Sequence, residues 1–376
     1  MTNPKKILLI TRPIAPPWDE ASKNFAYYLA KNIPAFNPCL LTNGIIADIS
    51  SNQQKPIYTS NDFSYFQKLR LIKHLRKLRN DFDILHYIFT PTKQNTFLLR
   101  HFVNSGKNKT AKTIQTIATL REDQYSDQEI KNLIFGDLII TYSDHAKNKL
   151  SSLGFDAVKR IYPGIDLDYY SPKPKNKDAL QKLKIDEQDF VVTYPGEYVR
   201  LGATDDIVQM IIQNFKTLKE KKIKIIFACR LKNDREAIQK KEAVLEKLKK
   251  YDALDTTVFV DIFPDMATLY NLSDVIIFPV QNMRGKFDVP LAAIEPMACE
   301  KPVIISDLPI LGEFANIENS VTIERGKPDQ IIDAILDLYN DPQKRVRLGK
   351  SGRKFTQENF DIKKISQIYS EIYQLL

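Results

Sequence analysis

Asp288 and Glu295 stand seven positions apart in the segment 285–304, GKFDVPLAAIEPMACEKPVI, which opens as a polar loop and closes on an apolar, strand-like run. Asp288 followed by Pro290 is a helix-start signature: the carboxylate caps free amides and the proline takes an early position where no N–H is needed. The free amides and dipole of such a helix can hold an anion such as a diphosphate. Seven residues is two helical turns, so Glu295 falls near the same face as Asp288, inside the apolar string PLAAIEPMAC, where a carboxylate needs a partner. Pro296 disturbs the carbonyl of Ala292, which predicts a bend at this point. Two plainer readings stand beside these: Asp288 as a simple helix cap, and Glu295 as half of a buried structural ion pair. Metal chemistry has little support. Asp81 with Asp83, and Asp166 with Asp168, match a DxD spacing that often arises by chance, and His74, His86, His101 and His145 are scattered. The expectation is no metal and no resident cofactor.

The elements that must position these groups alternate in type along the chain. In the first half, KILLITR, CLLTN, DILHYIF, KTIQTIAT and DLIITYS are short, apolar and rich in β-branched residues, as buried parallel strands are. In the second half DFVVTYP, KIKIIFAC, TTVFVD, DVIIFPV, KPVIIS and NSVTIE repeat the scheme, separated by helical patterns such as ATDDIVQMIIQNFKTLKE and REAIQKKEAVLEKLKKYDAL. Between the halves the text IYPGIDLDYYSPKPKNKDA is rich in Pro, Gly and Lys. The fold class expected is α/β, with two Rossmann-like, doubly wound parallel-sheet domains facing a cleft. The domains are placed at 1–168 and 169–355, with a C-terminal helix, 356–376, packing back on the first. Length supports two cores: 376 residues exceed what one ordinary hydrophobic core holds. Open parallel sheets bind ligands at the carboxyl ends of their strands.

The text EPMACEKPVI resembles the signature of the GT-B retaining glycosyltransferases of family GT4, in which a Glu, seven intervening residues and a second Glu precede a Met-Ala-x-Gly-x-Pro-Val stretch. Glu295 matches the second Glu, understood in that family to hold the ribose of the donor nucleotide. The first Glu, which holds hydroxyls of the donor sugar, is replaced by Phe287, so the resemblance passes that role to Asp288, with Lys286 a further candidate. Val289, Pro290 and Leu291, at the expected helix start, complete the donor-side set. TYSDHAKNKLSSLGF with IYPGIDLDYYSP resembles the family's linker, Pro163, Gly164 and Asp166 standing in the matching places. DMATLYNLSDVIIFPV and ILLITRPIAPPWDEASKNFAYYLA resemble further family elements in the family's order.

The resemblance implies an Arg and a Lys around Gly196, after the first strand of the second domain, to neutralise the donor diphosphate. Here the text is YPGEYVRLGATDD: Glu197 stands where the Arg often does and Leu201 near the Lys, leaving Arg200 as the cation. Arg230 and Lys232, at the end of the next strand, could supply further charge; a solvated loop is the plainer reading. The family's Gly-rich first loop and later His are absent. Trp18, Asp19, Glu20 and Lys23 in the first loop, and Thr119 and Arg121 in TIATLRED, are the acceptor-side candidates, with a surface loop before a capped helix as the alternative.

The resemblance therefore implies a hexosyltransferase that uses a UDP- or GDP-sugar donor and a glycan or lipid-linked acceptor, with Asp288, Glu295 and Arg200 as its catalytic set. A cytoplasmic role in cell-envelope polysaccharide synthesis follows as an expectation. The alternative is a catalytically silent nucleotide-sugar-binding or partner subunit of the same fold, suggested by Phe287, Glu197 and the missing His. The segment FSYFQKLRLIKHLRKLRNDFD joins aromatics, leucines and cations at helical spacing, as a helix on an anionic membrane would, or a basic amphipathic helix on its own sheet. A net charge of +9 favours anionic partners, but no nucleic-acid recognition motif accompanies it. No GxGxxG follows the first strand, which disfavours NAD binding. Cys39, Cys229 and Cys299 lie in apolar runs without metal spacing and cannot all pair, so no disulfide framework is expected.

Overall fold

The computed structural model describes residues 5–16, 20–102, 111–231, 234–263 and 265–376. The chain divides into two compact units, Met1–Asp166 with Phe360–Leu376, and Leu167–Asn359.

The first unit is built on β1 (Ile7–Ile14), β2 (Cys39–Asn43), β3 (Gln54–Tyr58), β4 (Ile84–Ile88), β5 (Lys112–Ile117), β6 (Leu138–Thr141) and β7 (Val158–Arg160). They pair in parallel in the order β3-β2-β1-β4-β5-β6-β7. Parallel strands joined by crossover helices are covered on both faces, which is why ILLI of β1 and the whole of β4 are buried apolar runs. Two strands escaped the sequence pattern. In β3, QKPIY, Lys55 and Pro56 are exposed, as an edge strand tolerates. The opposite edge, β7, is only three residues long.

His86 on β4 is fully buried, its Nδ1 2.7 Å from Tyr373 Oη and its Nε2 2.7 Å from Thr116 Oγ1, with Tyr369 stacked on the ring. Burial pushes its pKa down to about 3, so it stays neutral and bridges β4 to β5 and to the helix Ile362–Leu375.

The second unit carries β8 (Phe190–Tyr194), β9 (Ile223–Ala228), β10 (Thr257–Val260), β11 (Val275–Phe278), β12 (Val303–Ser306) and β13 (Ser320–Ile323). They too pair in parallel, in the order β10-β9-β8-β11-β12-β13. The order reverses between β8 and β11, so the loops that follow those two strands leave the sheet at its topological switch point. The C-terminal helix expected at 356–376 is Ile362–Leu375, preceded by a separate helix that ends at Asn359. Pro342–Asn359 belongs to the second unit and Ile362–Leu375 to the first. Pro342–Asn359 lies close on the helix Leu291–Ala298: a Cβ on Gly349 would meet the Glu300 carbonyl oxygen at 2.2 Å. No described helix is long and apolar enough to cross a membrane.

Candidate functional site

At the switch point of the second sheet, residues from the two loops meet. A Cβ on Gly196 would lie 2.0 Å from the Tyr194 ring, so the chain turns tightly off β8 only with glycine there, and Glu197 follows at once. Arg200 grips Glu197 with two bonds, Nε to Oε2 at 2.8 Å and Nη2 to Oε1 at 2.6 Å, and Lys286, from the loop after β11, donates Nζ to Oε1. Burial opposes the charge of Glu197, but the two cations outweigh it and hold the carboxyl below its ordinary value. Burial also pushes Lys286 down, helped by the positive fields of Arg200 and Arg230 and opposed by Glu197. The cluster is two cations on one carboxylate, with Arg230 near enough to Lys286 to act on its charge.

Glu295 sits in the helix Leu291–Ala298 in a different environment. Tyr270, on the helix Met266–Leu272, donates its hydroxyl to Oε2 at 3.0 Å, and the phenol of Tyr170 stands near the carboxyl and favours its charged form. No salt bridge joins it to a described cation, so the structural ion pair entertained for Glu295 is not what satisfies it. Burial pushes its pKa up to about 7, the two phenols pulling the other way. Neither tyrosine had a role assigned by sequence reasoning. Tyr170 lies in the linker text DYYSP and Tyr270 in DMATLYNLSD, and no local spacing points from either to Glu295.

Asp288 is a correction. The helix begins at Leu291, its N-cap is Pro290, and no side chain caps it. Pro290 disfavours helical backbone at Val289, so the helix cannot start at Asp288, and the expected shared helical face with Glu295 falls with it. Asp288 and Val289 are buried instead, Asp288 only 7% exposed. Pro296 is accommodated inside the helix, with Cys299 and Lys301 amides turning back onto its carbonyl. Arg230 follows β9 on the same rim, near enough to Lys286 to influence its charge; Lys232 lies outside the described residues. Beyond the carboxyl ends of β11, β12 and β13 an open cavity of about 420 Å³ is lined by Gln281, Asp307, Glu324, Arg325 and Gly326.

In the first unit, Trp18 and Asp19 lie outside the described residues. Glu20 pairs with Arg12 at 2.5 Å and makes no side-chain cap to the helix Ala21–Asn32, which corrects the capped-helix alternative at that residue. Lys23 is buried, 6% exposed, with Nζ donating to the Ala15 carbonyl at 3.2 Å. Thr119 follows β5, and Arg121, at φ 55°, is clamped to Asp123 at 2.9 and 3.0 Å. These residues follow the carboxyl ends of β1 and β5. Among the described residues no group of three or more His, Cys, Asp and Glu is placed to hold a metal, and Cys39, Cys229 and Cys299 are buried free thiols.

Comparison with known proteins agrees with this layout. Residues 176–355 match the family described as glycosyl transferases group 1. A glycosyltransferase of Methanocaldococcus jannaschii described as uncharacterized is 22% identical over 263 residues, 67% of this chain and 62% of its own length. Spore coat protein SA of Bacillus subtilis is 24% identical over 271 residues, 63% of this chain and 64% of its own. The sequence match thus spans less than two thirds of either relative. Among solved structures, Anabaena HepE in complex with UDP and glucose superimposes with a TM-score of 0.76 at 15% identity, covering 99% of this chain and 100% of that one. Sucrose-phosphate synthase from Thermosynechococcus elongatus gives 0.78 at 16%, covering 99% and 98%. The match to the glycosyl transferases group 1 is confined to the second unit, and the two Rossmann-like domains are those of the GT-B fold.

Proposed function

We propose that this protein is a retaining hexosyltransferase that moves a sugar from a UDP- or GDP-sugar to a glycan or lipid-linked acceptor. One observation carries the reading: within the segment that matches the family, a partly buried carboxyl group, Glu295, is held by hydroxyls rather than by a cation. A carboxylate so held keeps acceptor capacity for the ribose hydroxyls of a nucleotide. Arg200, Arg230 and Lys286, around the switch point, supply the charge that a diphosphate leaving group needs; displacement at the anomeric carbon depends more on that stabilisation than on a strong protein nucleophile. Asp288 is the candidate for the sugar hydroxyls. Val289, Pro290 and Leu291 form the approach to Glu295, and Glu20, Lys23, Thr119 and Arg121 are the acceptor-side candidates of the first unit. That HepE was solved with UDP and UDP-glucose supports UDP as the first nucleotide to try.

A lipid-linked acceptor suits the helix Tyr65–Leu78. It buries Gln67, Leu71, Ile72 and Leu75 and leaves Tyr65, Phe66 and Leu69 56%, 76% and 42% exposed, among Arg70, Lys73, Arg76 and Lys77. Exposed aromatics among cations are what a peripheral contact with an anionic membrane requires, and they support a place at the cytoplasmic face.

A second reading, a catalytically silent nucleotide-sugar-binding subunit, is favoured by the engagement of Arg200 and Lys286 with Glu197. Thermal-shift screening against UDP-, GDP- and ADP-sugars, followed by donor hydrolysis and transfer assays, separates the two. The enzyme reading expects both stabilisation and turnover, with turnover lost in Glu295→Ala. Stabilisation without turnover establishes the silent subunit, and no stabilisation by any donor removes both.

A further inference from the structure

The two phenols that hold Glu295 come from different elements, and the structure ties those elements together independently of the carboxyl group. Tyr169 donates its hydroxyl to Asp265 Oδ1 at 2.8 Å, fastening the linker to the cap of the helix that carries Tyr270. Asn271 on that helix donates to the Ser171 carbonyl at 3.0 Å and accepts from the Lys173 amide at 2.9 Å. Arg353 donates to the Tyr170 and Ala298 carbonyls at 2.6 Å each and to the Leu167 carbonyl at 3.3 Å, joining the linker to the end of the helix that carries Glu295. Tyr270 is 2% exposed, and its hydroxyl has Glu295 as its hydrogen-bond partner. A phenol this deep, fixed on both sides, is built to aim something.

We propose that Tyr270, with Tyr170, is a positioning residue that orients the Glu295 carboxylate toward a vicinal diol, the ribose of the donor nucleotide. The inference rests on the ribose role given to Glu295 above. A carboxylate offers about four acceptor positions. The Tyr270 phenol occupies one of them and Tyr170 stands beside it, which leaves acceptor positions for the paired hydroxyls of the ligand. The phenols also favour the ionised form that must accept those hydroxyls, against the burial that disfavours it. The titratable groups that face Glu295 are Tyr169, Tyr170, Tyr270 and Cys299, with Lys173, Lys301 and Arg353 acting on Cys299 from behind.

The test is the dissociation constant of UDP and of GDP, measured calorimetrically from about pH 5.5 to about 8.5, a range that brackets the ionisation of Glu295. Wild-type affinity is expected to rise with pH through a midpoint near 7, as Glu295 ionises. Tyr270→Phe should weaken binding about three- to tenfold at neutral pH and move the midpoint upward by about one pH unit, because a donor to the charged form is gone. Tyr170→Phe should move it in the same direction. A merely structural role would lower thermal stability and leave the midpoint where it was, and an unmoved midpoint in both folded variants overturns the proposal. If one variant does not fold, the other decides. Glu295→Gln should remove the part of the pH dependence that Glu295 contributes, leaving that of the nucleotide's own terminal phosphate, read in a control titration of the nucleotide alone. If it leaves both affinity and profile unchanged, or if the wild type binds neither nucleotide, the ribose reading itself fails and takes this inference with it.

Discussion

Glu197 and Glu295 are the same chemical group in two settings of one unit. Glu197 is gripped by Arg200 and Lys286 and held below its ordinary pKa; Glu295 is held by phenols in a desolvated place and raised to about 7. The difference lies in what each can still do. A carboxylate that has taken three bonds from two cations is largely spent as an acceptor and serves to fix those cations. A carboxylate held by neutral phenols keeps acceptor capacity. The linkage signs are opposite as well. Glu295, raised in the fold, contributes stability below its unfolded pKa and loses it as pH rises through 7. Glu197, depressed in the fold, contributes stability above its unfolded pKa and loses it as pH falls through the folded value.

The largest effect expected from breaking this contrast is catalytic. Glu295→Ala should lower kcat/KM by about 100-fold or more, since two hydrogen bonds to a charged group are lost. A loss below about threefold, within what such bonds never exceed when they matter little, would return Glu295 to a structural role. The second effect is on stability and has the reverse sense. Glu295→Gln should be more stable than wild type at about pH 8, by at most about 3 kcal/mol, and match it only below about pH 4, because the variant no longer holds a desolvated charge. A lower melting temperature at the alkaline end contradicts the raised pKa. The smallest effect is at Glu197. Glu197→Gln should cost about 1–2 kcal/mol at neutral pH, discounted for the half-exposed Arg200, and the difference should close as acid protonates the wild-type carboxyl. Calorimetric melts at three pH values check both signs, and a deficit for Glu197→Gln that persists in acid would mean the cost lies elsewhere than in the ion pairs.

The alternation of strand and helix was plain in the residues because both faces of a parallel sheet are covered, so interior strands write themselves as apolar runs. The four inner strands of the second unit are legible this way; its edges β10 and β13, partly exposed, are legible by their β-branched apolar text instead, and the helix Ala203–Glu220 coincides with its periodic segment. The edges β3 and β7 were not legible, because an edge strand needs only one covered side and can carry Lys and Pro. The helix after β11 was visible but its start was not, since the Asp-Val-Pro text reads as a cap until Pro290 is seen to keep Val289 out of helical backbone. The importance of Glu295 came from its neighbours in sequence, whereas its partners lie far from it in the chain, 25 residues away in the case of Tyr270. The contact between Glu197 and Lys286 spans 89 residues and is produced by strand order alone. Spacing cannot report a meeting of that kind.

The last helix, Ile362–Leu375, completes a hydrophobic interior that begins with β1, and between the two the chain threads the whole of the second unit. During synthesis the early unit must therefore wait, its β4 imidazole and the apolar groove beside it uncovered, while almost two hundred further residues emerge and fold. The later-made unit has no such dependency and is contiguous in the chain. Maturation thus runs against the order of translation: what is made second can finish first, and the closing tyrosines seal what was made first.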